Sequence, residues 1–509
     1  MKIYAMGDLS KKEQRAILVS TILASSMAFV DSTALNVALP VLQKDLNIEG
    51  SQLLWIVNGY SLFLSALLLV GGSLGDHYGR KKIFGLGIII FMFSSLWCGF
   101  STSPLMLIIA RCFQGAGGAL MVPGSLSIIS ALFPRQQRGW AIGIWSMFSA
   151  MTTIIGPAIG GLLAGMDLWR AVFFINIPLA LIALYYLRKV PESKEVDAKN
   201  IDILGAILAT VALAGLTYGF IEAPENGFYA PEILTSLSIG VLFLIIFLIY
   251  ESKTSHPMMP LELFKSRLFS STNFITLLVY GALGGFLFFF PLNLIQVQGY
   301  PAEIAGLTML PFGLLISILS RWSGAWCDRV GARTPLILGS AITAIGFFLF
   351  SLPQLTNGPS EFWHTYFPAI LILGVGMGIT VAPLTTAVMN AVPQERTGTA
   401  SGVNNTVART AGVLAIAIMG GFGVITFQNS LQSKVATIEL SYEAREELAL
   451  QVPKLAEAQP PQSANLVQKE KIAGFIKTSF IDSFRQSALI ATILAGLGSL
   501  IAYFFVNRS

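Results

Sequence analysis

Apolar stretches long enough to cross a bilayer recur fourteen times along this chain. They run at about 16–39, 52–74, 83–100, 105–126, 140–164, 170–187, 202–221, 232–250, 269–296, 303–325, 334–353, 365–390, 398–426 and 482–505. A helix rises about 1.5 Å per residue and the hydrocarbon layer is about 30 Å thick, so each stretch can span it as a helix. A helix also satisfies its own backbone bonds, which lipid cannot do. The expectation is therefore an all-α integral membrane protein. Only 12% of the 509 residues are charged, about half the fraction of a soluble domain.

The basic residues give an expected orientation. Arg80, Lys81 and Lys82, then Arg135 and Arg138, then Arg188, Lys189, Lys194 and Lys199 follow even-numbered spans. Lys253, Lys265, Arg267, Arg321, Arg329, Arg333 and Arg396 continue the series, while loops after odd spans offer little beyond Lys44 and Arg170. Basic loops stay cytoplasmic, so both termini are expected inside a bacterial cytoplasmic (inner) membrane. Spread in this way, the net charge of +5 marks no nucleic-acid surface. Lys11, Lys12 and Arg15 precede a first span too long for a cleavable signal core. The segment Gln428 to Phe480 then lies outside. Within it Ser441 to Val452 reads as a helix capped by Ser441, Pro460-Pro461 breaks the chain, and Asn465 to Thr478 is amphipathic. An external helical hairpin could shield the outer mouth or simply sit in solvent.

An internal repeat is visible. Gly72-Ser-Leu-Gly-Asp76-His-Tyr-Gly79-Arg80 recurs as Gly324-Ala-Trp-Cys-Asp328-Arg329-Val-Gly331-Ala-Arg333, and Arg138 to Gly143 is echoed by Arg396 to Gly402. Each offset covers eight spans, which two six-helix bundles and a two-helix insert explain. The expected domains are residues 1–187, a first bundle; 188–250, a linker and two inserted helices; and 251–509, a second bundle with an external loop at 427–481. In the repeated loop, Gly72 and Gly79 permit close helix approach, Asp76 can cap or pair, and Arg80 anchors at the surface. With Asp328, Arg329 and Arg333 they read as a latch between bundles that breaks when the cytoplasmic side opens.

Asp31 is the lone charge of its apolar stretch. An acid there costs about 3 kcal/mol on insertion scales and usually faces a bundle interior or a wet cavity, so it is a natural proton site. Arg111, beside Gln114, lies at similar depth in span four and needs a partner, so the two are expected to communicate. Gly156, Pro157, Gly160 and Gly161 read as a bend at a tightly packed seam. Asn58 and Tyr60 are polar and deep enough to face a cavity. The three histidines, His77, His256 and His364, stand at loops or span ends. Cys98, Cys112 and Cys327 make no metal spacing or evident disulfide, so no enzyme, metal or cofactor is expected.

These segments together resemble the major facilitator superfamily, specifically its fourteen-span drug:proton antiporter family. The resemblance is carried by Asp31-Ser-Thr-Ala-Leu-Asn36-Val-Ala-Leu-Pro40, Trp55-Ile-Val-Asn58-Gly-Tyr60, the loop at 72–82 and Ala110-Arg111-Cys-Phe-Gln114-Gly115. It continues in Gly156-Pro157-Ala-Ile-Gly160-Gly161, Trp169 to Pro178, Gln298 to Gly306 and Asn404-Asn405-Thr-Val-Ala-Arg409. It implies a two-bundle major facilitator fold with two inserted helices and export driven by inward proton flow. Asp31 then takes part in coupling, Arg111 is tied to proton transfer, and Gly156, Pro157, Gly160 and Gly161 mark an exporter. Thr152, where glycine usually begins the span-five pattern, and His77, where arginine usually follows the loop aspartate, depart from it. The cargo expected is amphipathic, cationic or neutral, and drug-like, with antibiotic resistance as the outcome. A lipid or metabolite exporter is the alternative. A periplasmic adaptor and outer-membrane channel are further candidate partners beside protons, cargo and bilayer.

Other residues carry weaker expectations. Glu222, near the outer face, could assist cationic cargo or be an interfacial acid. Arg409, deep in span thirteen, could contact cargo or pair with Asn404 and Asn405. Trp55 reads as a belt aromatic. Phe286, Phe288, Phe289 and Phe290 read mostly as lipid-facing, with a greasy drug pocket as the other use. Pro291 and Pro311 suggest bends.

Overall fold

The computed structural model describes residues 10–193, 202–392 and 397–506. Lys194, Lys199 and Arg396 lie outside the described residues, as do the side chains of Arg135, Arg138, Arg321 and Asp328. The helices are α1 (Lys11–Leu46), α2 (Gly50–Tyr78), α3 (Arg80–Gly99), α4 (Pro104–Leu132), α5 (Arg135–Gly165), α6 (Ala171–Phe174), α7 (Asn176–Leu187), α8 (Ile203–Asn226) and α9 (Pro231–Lys253). They continue as α10 (Arg267–Leu292), α11 (Ala302–Thr308), α12 (Leu310–Val330), α13 (Arg333–Phe350), α14 (Tyr366–Asn390), α15 (Thr397–Val435), α16 (Tyr442–Gln451) and α17 (Leu466–Phe505). Among the described residues, twelve helical stretches are long and apolar enough to cross a membrane, with two shorter apolar stretches, Ile155–Gly165 and Ala171–Leu187, beside them.

Several helices outrun the apolar windows that announce them. Ser10 and Glu13 form a reciprocal cap that starts α1 before its apolar stretch, and Pro40 does not end it. Asp31 consequently lies about 22 Å from the far end of α1, not the roughly 12 Å its apolar stretch implies. The expected loop at 427–481 is largely helix. α15 runs on to Val435, and α17 starts at Leu466 under an Asn465–Gln468 cap and continues unbroken into the last span. Ile472, Ile476 and Phe480 are buried, and Lys434 pairs with Asp482 at 2.8 Å, so tertiary packing carries both helices past their apolar ends. Ser441 does cap α16, accepting from the Ala444 amide at 3.2 Å, and Pro460-Pro461 falls in the non-helical link.

α1 to α7 pack on one another, α8 pairs with α9, and α10, α12 to α15 and α17 form a second group. α8 lies against both α2 and α15. The two groups meet along α2 and α15, where Leu54 reaches Gly420, Leu62 and Ala66 pack on Val413, and Leu69 reaches Gly402. They meet again where α5 touches α11. The end that carries Arg80, Lys81 and Arg188 is called the basic end here, and its opposite the far end. At the far end Gln43 of α1 donates to the Lys454 carbonyl at 3.2 Å and accepts from Gln296 at 2.9 Å, which ties the groups together.

The repeated loops have a shared backbone reason. Gly79 and Gly331 both take positive φ, +112° and +78°, where an L side chain would be strained. Each turns a helix sharply into the next. The phenylalanine run departs from its lipid-facing expectation: Phe286, Phe288, Phe289 and Phe290 are at most 2% exposed. Their rings pack against Phe347, Phe350, Tyr366, Phe480 and Phe484, so they glue α10 to α13, α14 and α17. The bend near Pro291 is real, since a π-helical turn at Asn293–Val297 follows it, and Pro311 stands at the start of α12 after a break at Met309.

Candidate functional site

α1, α2, α3, α4 and α7 converge on Asp31. Its carboxylate and the Arg111 guanidinium form an ion pair with both partners buried, 0% and 1% exposed. Oδ2 accepts from Arg111 Nη1. Oδ1 accepts from Gln114 Nε2 at 2.8 Å and Asn176 Nδ2 at 3.4 Å. Arg111 also donates to Gln114 Oε1 at 2.7 Å and, through Nε, to the Ile56 carbonyl at 3.2 Å. Ser95 Oγ closes the network, accepting from Asn176 at 2.9 Å and Gln114 at 3.3 Å and donating to the Phe173 carbonyl at 2.8 Å.

The helices reach this closeness because the sequence spends glycine where backbones cross. A side chain on Gly115 of α4 would fall on the Tyr60 backbone of α2, 3.1 Å from its Cα. The Tyr60 ring therefore lies face-on to Arg111, 4.2 Å from the guanidinium carbon. Two charges buried together are held by mutual attraction and by their remaining hydrogen bonds, and loss of either leaves the other stranded. A proton on Asp31 is such a loss. It removes the charge facing Arg111 and frees the arginine, Gln114 and Asn176 to rearrange.

The Gly156–Gly161 segment sits beside this pair. A Cβ on Gly160 would lie 2.7 Å from Ala34 Cα, three residues past Asp31, and one on Gly156 would strike the Thr33 side chain. On its other face Gly161 approaches α11, where a Cβ would lie 3.1 Å from Gly306 Cα. α5 thus links the Asp31 turn of α1 to the second helical group through backbone contact. Thr152 donates to the Ser149 carbonyl at 2.9 Å, inside its own helix.

Other candidates fall elsewhere. Glu222 of α8 accepts from Trp55 Nε1 at 2.8 Å, and Trp55 packs on Tyr218. This pins the inserted hairpin to α2 and makes Trp55 an anchor between helices. Asn58 is fully buried with neither amide atom partnered, and Asn36 is half-buried without a described hydrogen bond. In the loop, Arg80 pairs with Asp76 at 2.7 Å, and its amide donates to the Ser193 carbonyl at 2.9 Å. The next amide, Lys81, donates to Glu192 at 2.9 Å, so these contacts tie the loop to the segment after α7. Gly72 lies 3.8 Å, by an added Cβ, from Pro123. In the second loop Arg329 is exposed and Arg333 donates to the Tyr503 carbonyl at 2.7 Å near the end of α17.

Sequence reading reached Asp31, Arg111, Gln114 and Tyr60 but not the parts played by Ser95 and Asn176. Asn176, an amide inside an apolar span, carried a usable signal. Ser95 carried none, because serine occurs throughout such helices. Arg409 bonds neither Asn404 nor Asn405: Asn404 instead donates to Asn273 Oδ1 at 3.1 Å and Thr276 Oγ1 at 2.7 Å, and Asn405 is exposed.

Comparison with known proteins bears on this arrangement. Residues 21–416 match the family model described as Major Facilitator Superfamily. "Multidrug resistance protein Stp" of Mycobacterium tuberculosis is 31% identical over 416 residues, covering 80% of this chain and 76% of that protein. "Methylenomycin A resistance protein" of Bacillus subtilis is 31% identical over 408 residues, covering 80% and 86%. The crystal structure of a bacterial homologue of the human lysosomal transporter Spinster, inward-facing and unoccupied, superposes with a TM-score of 0.64 over 97% of this chain and 98% of that one. At 18% identity that likeness speaks for the fold.

Proposed function

The chain belongs to the major facilitator superfamily, a transporter and not an enzyme, and on that premise we propose that it is a proton-coupled exporter of amphipathic, drug-like compounds. The observation that carries the coupling is the sealed Asp31–Arg111 pair, braced by Gln114, Asn176 and Ser95 and abutting the α5 segment that reaches the other half. In this reading Asp31 takes a proton from the far side, Arg111 is released, and the halves rock. The proton leaves at the basic end as new cargo enters. A proton crossing 100 mV supplies about 2.3 kcal/mol and each pH unit about 1.4, enough for roughly a hundredfold gradient of a neutral compound.

In the same reading that end faces the cytoplasm from a bacterial inner membrane, with both termini inside, which the retention of basic loops on the cytoplasmic side supports. The fourteen-span count belongs to the same proposal. Twelve long helices, the 31-residue α5 and the bent α6–α7 unit support it, as does the packing of α1 to α7 together, of α8 with α9, and of α10, α12 to α15 and α17 together, and the proposed domains remain 1–187, 188–250 and 251–509. Cargo crosses one membrane without a further chain. A periplasmic adaptor and outer-membrane channel would only lengthen the route. Purified protein in vesicles with an imposed pH gradient tests the reading: an inward proton gradient should drive dye out of the protein's cytoplasmic side, and dye flux indifferent to pH would refute it.

One observation favours a lipid exporter as second reading. An almost wholly apolar cavity of about 740 Å³ lies between α1, α5 and α7, with Lys11 and Arg15 at its basic end, and suits an acyl chain under an anionic headgroup. Phospholipid uptake by the same vesicles without dye flux would establish it in place of the first.

A further inference from the structure

The loop that turns α2 into α3 spends its nearby acid on backbone and leaves cations over. The Glu192 carboxylate accepts from the Lys81 amide at 2.9 Å and from the Ser193 amide at 3.0 Å. It is seated where Gly79 has no side chain: a Cβ there would lie 2.9 Å from the Glu192 carboxyl carbon. Lys81 in turn donates its ammonium to the Arg188 carbonyl just past α7, 3.1 Å away. Lys82 and Arg188 are exposed and have no ion pair among the described residues.

Beside these two cations, towards the middle of the helices, α3 and α7 part into a groove of about 650 Å³. Lys82, Leu86 and Ile89 line it from α3, and Leu184 and Arg188 line it from α7 and just past its end. Steps of four and seven residues put Lys82, Leu86 and Ile89 on one face of α3, and a step of four puts Leu184 under Arg188. Gly85 lets the two helices come close there, since its Cβ would lie 3.1 Å from Leu187 Cδ2. Leu86 and Ile89 remain 45% and 40% exposed. Ile89 lies about 14 Å along α3, close to the depth of one leaflet of a hydrocarbon layer about 30 Å thick.

We propose that this groove binds one anionic phospholipid, its phosphate held by Lys82 and Arg188 and an acyl chain laid along Leu86 and Ile89 against Leu184. Charge complementarity selects that occupant. Two unpaired cations stand at the polar end of an apolar slot, and basic pockets between membrane helices take acidic headgroups in this way. A zwitterionic lipid brings its own ammonium to the same cations and gains less. The site is separate from the apolar cavity between α1, α5 and α7, whose cations are Lys11 and Arg15. It does not depend on the export reading, because the lipid here is a held ligand and not cargo. The groove also touches the repeated loop: Lys81 and Glu192 line it too, and they tie that loop to the segment after α7. A bound lipid therefore holds the loop in the arrangement seen here.

The test is lipid binding to the purified full chain in detergent, counted by native mass spectrometry. Dioleoylphosphatidylglycerol serves as the anionic lipid and dioleoylphosphatidylcholine as the zwitterionic one. The unaltered protein should hold one phosphatidylglycerol about tenfold or more tighter than phosphatidylcholine. Each Lys or Arg beside an acidic headgroup is worth about fivefold, so Lys82→Gln should weaken phosphatidylglycerol binding by about that factor, and Lys82→Gln with Arg188→Gln by about thirtyfold. Lys82→Arg should retain it. Phosphatidylcholine binding should not move in any of these variants, which also shows that they are folded. Lys11→Gln with Arg15→Gln should leave phosphatidylglycerol in place. Amide exchange across Gly79–Ile83 should slow on adding phosphatidylglycerol and not on adding phosphatidylcholine. Equal retention of the two lipids, phosphatidylglycerol binding that survives loss of Lys82 and Arg188, or its loss with Lys11 and Arg15 instead would each overturn the assignment. Displacement of the lipid by inorganic phosphate would overturn it too, leaving a simple anion site. Loop exchange that ignores the lipid would overturn the link to the loop.

Discussion

Replacing Asp31 by asparagine changes one oxygen and separates two consequences that a simple loss of activity would merge. In the unaltered protein Oδ1 takes the amide donors of Gln114 and Asn176, and Oδ2 takes Arg111. An asparagine can present its oxygen to only one of these sets. Whichever way the amide turns, an NH2 group confronts a donor, and the attraction of opposite charges between residue 31 and Arg111 is lost. Arg111, 1% exposed, then stands as an uncompensated buried charge, and breaking such a pair typically costs about 3–5 kcal/mol. Asp31→Asn should therefore lower stability in detergent by an amount in that range and abolish pH-driven export in vesicles. The double variant Asp31→Asn with Arg111→Gln carries no stranded charge and should recover much of the stability. It should not recover export, because nothing remains to bind and release the proton. Stability comes from guanidinium unfolding or thermal shift, and transport from dye flux under an imposed pH gradient. Retained coupled flux in Asp31→Asn, or its return in the double variant, would refute the assignment of Asp31 as the proton carrier.

Further expectations follow from other contacts. Glu222→Gln keeps an oxygen for Trp55 and should leave cationic-dye flux within about twofold, while Glu222→Ala should loosen α8 and lower thermal stability by about 1 kcal/mol; a large loss in the glutamine variant would make Glu222 a charge-reading residue. Gly161→Leu must push α5 off α11 and should abolish flux while the protein still elutes as a folded species in size exclusion; normal flux would remove the seam from the mechanism. In a background without Cys98, Cys112 and Cys327, a disulfide between Gln43→Cys and Lys454→Cys should stop flux and a reductant should restore it. Burial pushes the Glu457 carboxyl up, against the pull of Lys44 and Gln296. A raised acid favours the folded state below its ordinary value and loses that advantage as pH climbs through the raised one, so the segment around Glu457 should be best protected from amide exchange in acid and less so towards neutral pH.

The helical architecture was open to reading because lipid forces long apolar helices and leaves charge at their ends; the observed bounds fall within a few residues of the apolar windows for most of α2 to α14. The misses share one physical cause. α1 and α15 run past their apolar windows, and the amphipathic segment expected from Asn465 to Thr478 joins the last span as one helix, because tertiary contacts such as Lys434–Asp482 replace lipid as the reason to stay helical. At the site, Asp31 and Arg111 declared themselves because an unpaired charge in hydrocarbon is so costly. Ser95 did not, since a hydroxyl can bond its own helix anywhere. The phenylalanine run shows the limit of residue type alone: lipid and aromatic core are equally apolar, and only the neighbours on α13, α14 and α17 decide between them.

The short 3-10 helix Val452–Glu457 follows directly on α16, leads through residues 458–465 to α17, and holds Gln43 of α1 through the Lys454 carbonyl. On the proposed reading, with the basic end in the cytoplasm, that strap lies at the outer mouth. If the chain exports in the direction proposed, an antibody fragment or peptide that stiffens the strap would jam the exit without entering the cell, and so would escape the exporter it disables.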